Sequence, residues 1–246
     1  MRKYALEQYV ERSAEQLKQY FEGPTTAVGD AALRNMIHLG VDRAKKHDII
    51  GECNVVLYTS LMLLFGSYFD EDGQYAWAAK TLADKSLKDE AARAETLYDR
   101  GVAFFQRVAG DRAEELAKSL VRTRKILTEE LAGEPETPIR NQIARICPPK
   151  SNEIGEAGME TVLRNGREIA KEYEMSGRRE QTIITCLAYG LGAGFHRDPL
   201  HPWAAEALQA PDASAKDRGT ELFASACAYG DRWMTFLRSK KGMADV

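Results

Sequence analysis

Two stretches of this chain carry the same residues in the same places: FGSYFDEDGQYAWAAKTL, from Phe65 to Leu82, and LGAGFHRDPLHPWAAEAL, from Leu191 to Leu208. In both, a glycine, a phenylalanine and an aspartate precede Trp-Ala-Ala and a leucine. A polar loop that runs into a tryptophan and a short alanine-rich helix needs a structural reason. Its recurrence indicates a unit that the chain contains twice.

The similarity extends well beyond the loops. A shift of 126 residues pairs residues 29–82 with 155–208 without gaps, and 15 of the 54 positions are identical, whereas ordinary residue frequencies give about 3 by chance. The identities are Gly29, Ala31, Gly40, Ala44, Lys45, Gly51, Thr59, Leu61, Gly66, Phe69, Asp72, Trp77, Ala78, Ala79 and Leu82. They fall at expected helix ends, on apolar stripes and in the loop. The pattern predicts an internal duplication.

The periodicity of apolar residues predicts the fold class. These residues recur at helical spacing almost throughout, and no segment shows sustained alternation of β-branched residues. We therefore expect an all-α fold: two tandem copies of a helical-bundle unit, joined by a helical linker. The first unit is expected over residues 1–110, the linking helix over 111–133 and the second unit over 134–246.

Local signals predict where several helices begin and end. A helix capped by Asp30 is expected to run to about His47, and a buried helix from about Glu52 to Gly66, which suits a left-handed C-terminal cap. A short helix is expected from Trp77 to Leu82.

Later boundaries depend on serine, threonine and proline. Ser86 and Asp89 resemble a capping box that opens a helix to about Val108. The pair Thr137-Pro138 suggests an N-cap followed by proline at the first helical position. Two proline-containing turns, Gly23-Pro24 and Pro148-Pro149, are expected to end helices.

Composition narrows the class of partner. The net charge is -3 with 29% charged residues, and this balance gives no reason to expect nucleic acid or an acidic membrane, which both favour a basic field. The four cysteines are widely spaced and no secretory signal is evident, so a cytoplasmic location is expected. No motif calls for a cofactor.

The shared loop residues have a structural interpretation. A helix that ends at Gly66 or Gly192 turns sharply, and Phe69 or Phe195 can anchor the returning chain. Asp72 and Asp198 can accept hydrogen bonds from backbone N–H groups in the turn or at the next helix start. Trp77 and Trp203 then hold the polar loop against the bundle.

The loops differ at positions that suggest function. Asp70, Glu71 and Asp72 form an acidic tip in the first loop, whereas His196 and Arg197 stand in the second. The acidic tip lacks the ligand spacing of a calcium loop. His196, Asp198 and His201 could hold zinc, but no HExxH or Cys/His cluster accompanies them. No nucleophile elbow or phosphate-binding loop is present, and neither a metal site nor a catalytic residue is predicted.

With both loops in view, the chain resembles a group of bacterial proteins associated with type VI secretion gene clusters. Their pattern is G-x-x-F-D-x-D-P-x-x-P-W-A after a short apolar helix. The second loop departs from it at His196, and the first has Gly73 and Ala76 in place of both prolines. The likeness covers residues 29–82 and 155–208 and includes a G-x-x-x-A-K pattern in the helix before each loop. It implies a context rather than an activity.

In that context we expect a non-enzymatic protein-binding protein. The favoured role is immunity, in which the chain binds and occludes a co-encoded toxin through Asp70, Glu71, Asp72, His196 and Arg197 by electrostatic complementarity. The alternative is an adaptor or chaperone that holds an effector for the secretion spike and presents an apolar groove to a partner helix. A metal-dependent hydrolase is a second alternative.

Overall fold

The computed structural model describes residues 3–110, 113–130 and 138–239. Every regular element within these ranges is helical, and no strand occurs in them. The all-α prediction is thus confirmed. Two apolar clusters form the core, one drawn mainly from residues 9–104 and the other from residues 126–222.

The first half contains six α-helices. They are α1 (Lys3–Tyr20), α2 (Glu22–Val28), α3 (Asp30–Lys45), α4 (Glu52–Phe65), α5 (Ala76–Leu82) and α6 (Glu90–Ala109). A 3₁₀ turn, Gly73–Tyr75, precedes α5. Helix α4 is apolar on nearly every side and lies at the centre of this half. It approaches α3 closely at Gly40, where an added Cβ would lie 2.4 Å from Thr59 Cγ2.

The second half follows a connecting helix, α7 (Glu114–Lys125), which continues into a π-helical segment, Ile126–Glu130. The later helices are α8 (Ile139–Ile146), α9 (Pro148–Glu172), α10 (Arg178–Leu191), α11 (Pro202–Leu208) and α12 (Ala215–Ser239), with a 3₁₀ turn at Phe195–Arg197. Helix α9 breaks at Gly155, whose φ of 60° and ψ of -167° are not helical.

Unusual backbone conformations recur at positions 126 residues apart. Positive φ angles occur at Gly29 and Gly155, at Gly66 and Gly192, and at Asp48 and Glu174. The close approach between α3 and α4 also recurs, because a Cβ at Gly166 in α9 would lie 2.3 Å from Thr185 Oγ1 in α10. These features mark the ends and contacts of helices at the same relative positions in the two halves.

The halves interlock rather than lie side by side. Helix α2 of the first half packs on α12 of the second, and α9 packs on α6 and on the turn Gly73–Tyr75. The contact between α2 and α12 is intimate, since a Cβ at Gly23 would lie 2.6 Å from the Phe236 ring. Leu200, from the second loop, is buried in the first apolar cluster.

Several predicted boundaries need correction. Asp89, not Ser86, caps α6, because its carboxylate accepts from Ala92 N, while Ser86 donates to Asp84. Gly66 has the expected positive φ of 91°, but its ψ of 152° is extended rather than left-handed helical.

Helices α1 and α8 end at Tyr20 and Ile146, next to the proline segments as expected, but the prolines themselves lie in the first turns of the following helices. Gly23 and Pro24 lie in the first turn of α2, and Pro148 opens α9, because a residue without an N–H fits where no intrahelical acceptor is available. Pro138 is the N-cap of α8 rather than its first residue, and Thr137 lies outside the described residues. The predicted boundaries near 111 and 133 also fall at residues outside the described ranges.

Candidate functional site

The two repeated loops meet each other across the junction of the halves. Gly66 and Gly192, which end α4 and α10, have φ angles of 91° and 95°. A Cβ on Gly66 would lie 2.4 Å from Leu191 O, and one on Gly192 would lie 2.7 Å from Phe65 O. Glycine is therefore required at both positions by conformation and by the close approach of the opposite backbone.

Two buried aspartates connect the loops reciprocally. Asp198 accepts from Ser67 N at 2.6 Å and from Ser67 Oγ at 2.5 Å, and Asp72 accepts from Ala193 N at 2.8 Å. Each also caps its own turn: Asp72 accepts from Gln74 N, and Asp198 from Leu200 N. The expected capping role is confirmed. The contacts across the junction were not foreseen, because the sequence does not show which loops are neighbours.

Asp70 lies inside the protein rather than at an acidic tip. Its side chain is buried and forms an ion pair with Arg43, and His47 Nε2 lies 2.8 Å from its Oδ2. Burial alone would raise the pKa of this carboxyl, but hydrogen bonds from His47 and Arg43 bring the pKa to about 2. Asp70 is therefore a structural anion at neutral pH.

The second half replaces this ion pair with uncharged groups. Ile169 and His196 stand at the positions equivalent to Arg43 and Asp70. His196 is buried, lies 6.0 Å from the Tyr173 ring, and has a pKa lowered chiefly by burial. The second half thus has neither the buried arginine nor the buried carboxylate at these positions, which avoids the cost of burying one charge without the other.

A surface cluster joins the loops on the outside. The guanidinium carbons of Arg43 and Arg197 each lie 4.5 Å from the centre of the Tyr68 ring. Tyr68 covers Gly194, where a Cβ would lie 2.3 Å from the ring. Glu71 is half exposed and pairs with Arg43 at 3.1 Å. We call Tyr68, Glu71 and Arg197 the junction surface.

The two tryptophans that the loops share are half-buried. Trp77 contacts four aromatic rings, from Phe65, Phe69, Tyr75 and Phe104. Trp203 lies near His201 and Tyr229 at 5.8 and 5.9 Å between ring centres. Both indole nitrogens are buried without a hydrogen-bond partner. The aromatic contacts of Trp77 are consistent with the expected role of holding its loop against the bundle. Trp203, in contrast, borders a cavity.

That cavity is a cleft of about 810 Å³ between the halves. Its walls come from α2, α4, α6, α7, α10 and α12, and leucine, phenylalanine, tyrosine and tryptophan side chains dominate them. Lys150, from the first turn of α9, lies in the wall with only 7% of its surface exposed. Its Nζ donates to Tyr75 Oη at 3.0 Å and to the carbonyl of Tyr189.

The five predicted partner-binding residues therefore have different environments. Glu71 and Arg197 are exposed in the junction surface, while Asp70, Asp72 and His196 are buried.

Sequence reasoning missed Tyr68, Arg43 and Lys150. Only Arg43 had a signal: a charged residue within an otherwise apolar stripe of α3, between Gly40 and Ala44.

Two further features concern a metal site and a membrane span. Within the described residues no group of three His, Cys, Asp or Glu side chains is arranged to hold a metal ion. His196 and His201 lie in different environments, the first near Tyr173 and the second near Tyr229. In the same part of the chain, none of the helices has both the length and the apolarity for a membrane span.

The sequence matches no protein-family model, and no curated protein or solved structure matches the chain.

Proposed function

We propose that this chain is a non-enzymatic protein-binding protein that acts as the immunity partner of a co-encoded toxin in a type VI secretion locus. The secretion context comes from the resemblance of the two loops to the pattern G-x-x-F-D-x-D-P-x-x-P-W-A. The binding role rests on the junction surface. Its residues come from both loops and are held in place before any partner arrives.

We also infer that the two halves are copies of one ancestral unit. The paired positive φ angles, the paired contacts at Gly40 and Gly166 and the reciprocal bonds of Asp72 and Asp198 support this inference. Divergence after copying would explain why the outward-facing positions differ. Tyr68 in the first loop stands where the second has Gly194, so one ring covers the junction instead of two rings colliding there.

The chemistry of the junction surface suits protein recognition. Tyrosine and arginine are enriched among the residues that dominate binding energy in interfaces. Arg197 is exposed and stacked, so less side-chain freedom remains to be lost on binding than for a free arginine. Glu71 supplies an acceptor beside these two groups. A toxin surface with a basic residue for Glu71 and a carboxylate for Arg197 would be complementary.

The proposed binding surface differs in charge from the acidic tip expected from the sequence. Asp70 and Asp72 are hydrogen-bonded to partners inside the protein. Of the three acidic residues, Glu71 alone faces outward. The contact is therefore proposed to depend on the Tyr68 and Arg197 stack, with Glu71 setting specificity, rather than on a concentrated acidic tip.

Growth protection tests the proposal. The chain is co-expressed with each toxin encoded beside it, and growth is compared for the wild type, Tyr68→Ala and Arg197→Ala. Tyr20→Ala and Arg164→Ala are matched controls at exposed positions outside the junction surface. We expect protection by the wild type and both controls and loss of protection in the junction variants. Growth inhibition that the wild type does not relieve rejects the immunity role.

A conservative substitution separates stacking from charge. Tyr68→Phe retains the ring between the arginines and should keep protection, whereas Arg197→Lys retains the charge without the planar group. Thermal unfolding of each variant shows whether the fold is intact. If Arg197→Lys protects as well as the wild type while Tyr68→Ala does too, the stack has no part in binding.

A further inference from the structure

The cleft between the halves has the size and lining of a small-molecule site. Its volume of about 810 Å³ falls within the range of about 300–1,000 Å³ typical of ligand pockets, which are mostly apolar with a few placed polar groups. Phe104, Leu120, Leu187 and Trp203 are among the side chains that line it. None of these belongs to the junction surface.

Lys150 gives the cleft a buried positive charge. Both hydrogen-bond acceptors of its Nζ are neutral oxygens. The Asp72 carboxylate acts on this charge electrostatically, but no described carboxylate forms a hydrogen bond or ion pair with Nζ. Desolvation by burial lowers the pKa of Lys150 to about 8, so the ammonium form still predominates at neutral pH. A buried cation of this kind is costly unless an anion compensates it.

Two donors lie side by side at this point. Lys150 has three N–H groups and uses two of them. The Tyr75 hydroxyl accepts one, at 3.0 Å, and it donates no hydrogen bond to any described residue. The remaining N–H and the O–H are thus 3.0 Å apart at their heavy atoms, a separation that suits the two oxygens of one carboxylate.

The charge of the whole lining favours the same ligand. Arg124, Lys125, Lys150 and Arg238 line the cleft, and Asp231 is the one carboxylate among the described residues that do so. His201, which is 3% exposed, also lines it, and its Nδ1 has no hydrogen-bond partner. Arg124 pairs with Asp231 at 2.7 Å, and the cations of the lining still outnumber its one carboxylate, which favours an anion.

We propose that the cleft binds an amphipathic carboxylate, with the carboxylate on Lys150 and Tyr75 and the apolar chain along the aromatic and leucine side chains. A helix of a protein partner fits these observations less well. Its apolar face would fill the cleft but leave the third Lys150 N–H and the Tyr75 O–H without acceptors. The inference is independent of the immunity role, because that role uses the exposed residues of the junction surface and the carboxylate would bind in the cleft.

Calorimetric titration of the delipidated full chain with sodium dodecanoate and with dodecan-1-ol tests the proposal. We expect one dodecanoate per chain and binding at least tenfold tighter than that of the alcohol. Lys150→Met, which keeps an unbranched side chain one atom shorter and removes the charge, should weaken dodecanoate binding at least tenfold and leave dodecanol binding unchanged.

A blocking variant keeps the test valid if Lys150→Met fails to fold. Gly190 lines the cleft, is exposed in α10, and has no atom within 4 Å of an added Cβ. Gly190→Phe should abolish binding of both probes, while Gly190→Ala should bind like the wild type. Equal affinity for acid and alcohol, or no dodecanoate binding by the wild type, overturns the proposal. If an amphipathic helical peptide with capped, uncharged termini binds and dodecanoate does not, the cleft would belong to the adaptor role instead.

Discussion

Removal of the Asp198 carboxylate tests how the two loops hold the halves together. In Asp198→Ala, Ser67 N and Leu200 N lose their acceptor, and both hydrogen bonds are buried. A buried hydrogen bond to a charged group is worth about 1.5–3 kcal/mol. Two such losses give a destabilisation of about 3–6 kcal/mol. The Ser67 hydroxyl also loses Asp198 as its acceptor, which can only add to this loss.

This destabilisation is large relative to the total free energy of unfolding of a domain. Domains are stable by about 5–15 kcal/mol, so Asp198→Ala should remove a substantial fraction of the free energy of unfolding. Asp198→Asn keeps one acceptor oxygen without the charge, and about half the loss is expected. Asp99→Ala, at an exposed position of α6, is the matched control and should stay within about 0.5 kcal/mol of the wild type.

Urea unfolding, followed by circular dichroism and by tryptophan fluorescence, measures these differences. Asp72→Ala should have a similar effect, because Asp72 makes the reciprocal contact to Ala193 N. The double variant should lose less than the sum of the single variants, since both carboxylates hold one interface. A loss below about 1 kcal/mol for Asp198→Ala would refute the reasoning, because the loops would then not depend on this carboxylate.

Three further predictions concern stability. Asp70→Asn should cost about 3–5 kcal/mol by removing the buried anion of Arg43, which then keeps only the half-exposed Glu71. Because the folded pKa of about 2 lies below the ordinary 3.8, the wild-type advantage should be complete above pH 3.8 and disappear as pH falls through about 2 in acid titrations of urea stability. Gly40→Ala and Gly166→Ala should each cost about 1–3 kcal/mol by overpacking against a threonine, and a marked difference between them in calorimetry would contradict equivalent packing. Trp77→Ala should cost about 3–5 kcal/mol and Trp203→Ala less, because the second ring borders the cleft; equal melting temperatures would oppose that difference.

Much of the helical framework could be predicted from the sequence. Apolar periodicity located α3, α4 and α5 to within a few residues, and the shared glycines marked sharp turns that the structure contains. These features are local, since they depend on residues close together in the chain. The start of α6 was misplaced because Ser86 and Asp89 are both good caps, and only the packed structure distinguishes them.

The long-range contacts could not be predicted in the same way. The acidic run suggested an exposed tip, but Arg43 is 27 residues from its partner Asp70, and no sequence pattern announces such a pair. Asp198 likewise contacts Ser67 across 131 residues. The cleft forms only because the halves interlock. The residues near Lys150 in the chain therefore do not indicate that it is buried in a cleft wall.

Direct binding measures the central claim that the junction surface holds a toxin. Calorimetric titration of the purified chain with the catalytic domain of the neighbouring toxin should give a one-to-one complex. Tyr68→Ala should weaken binding by at least about 30-fold, the effect of a residue worth 2 kcal/mol, and Tyr20→Ala should leave it unchanged. Absence of a complex, or equal affinity for the wild type and Tyr68→Ala, would contradict the account.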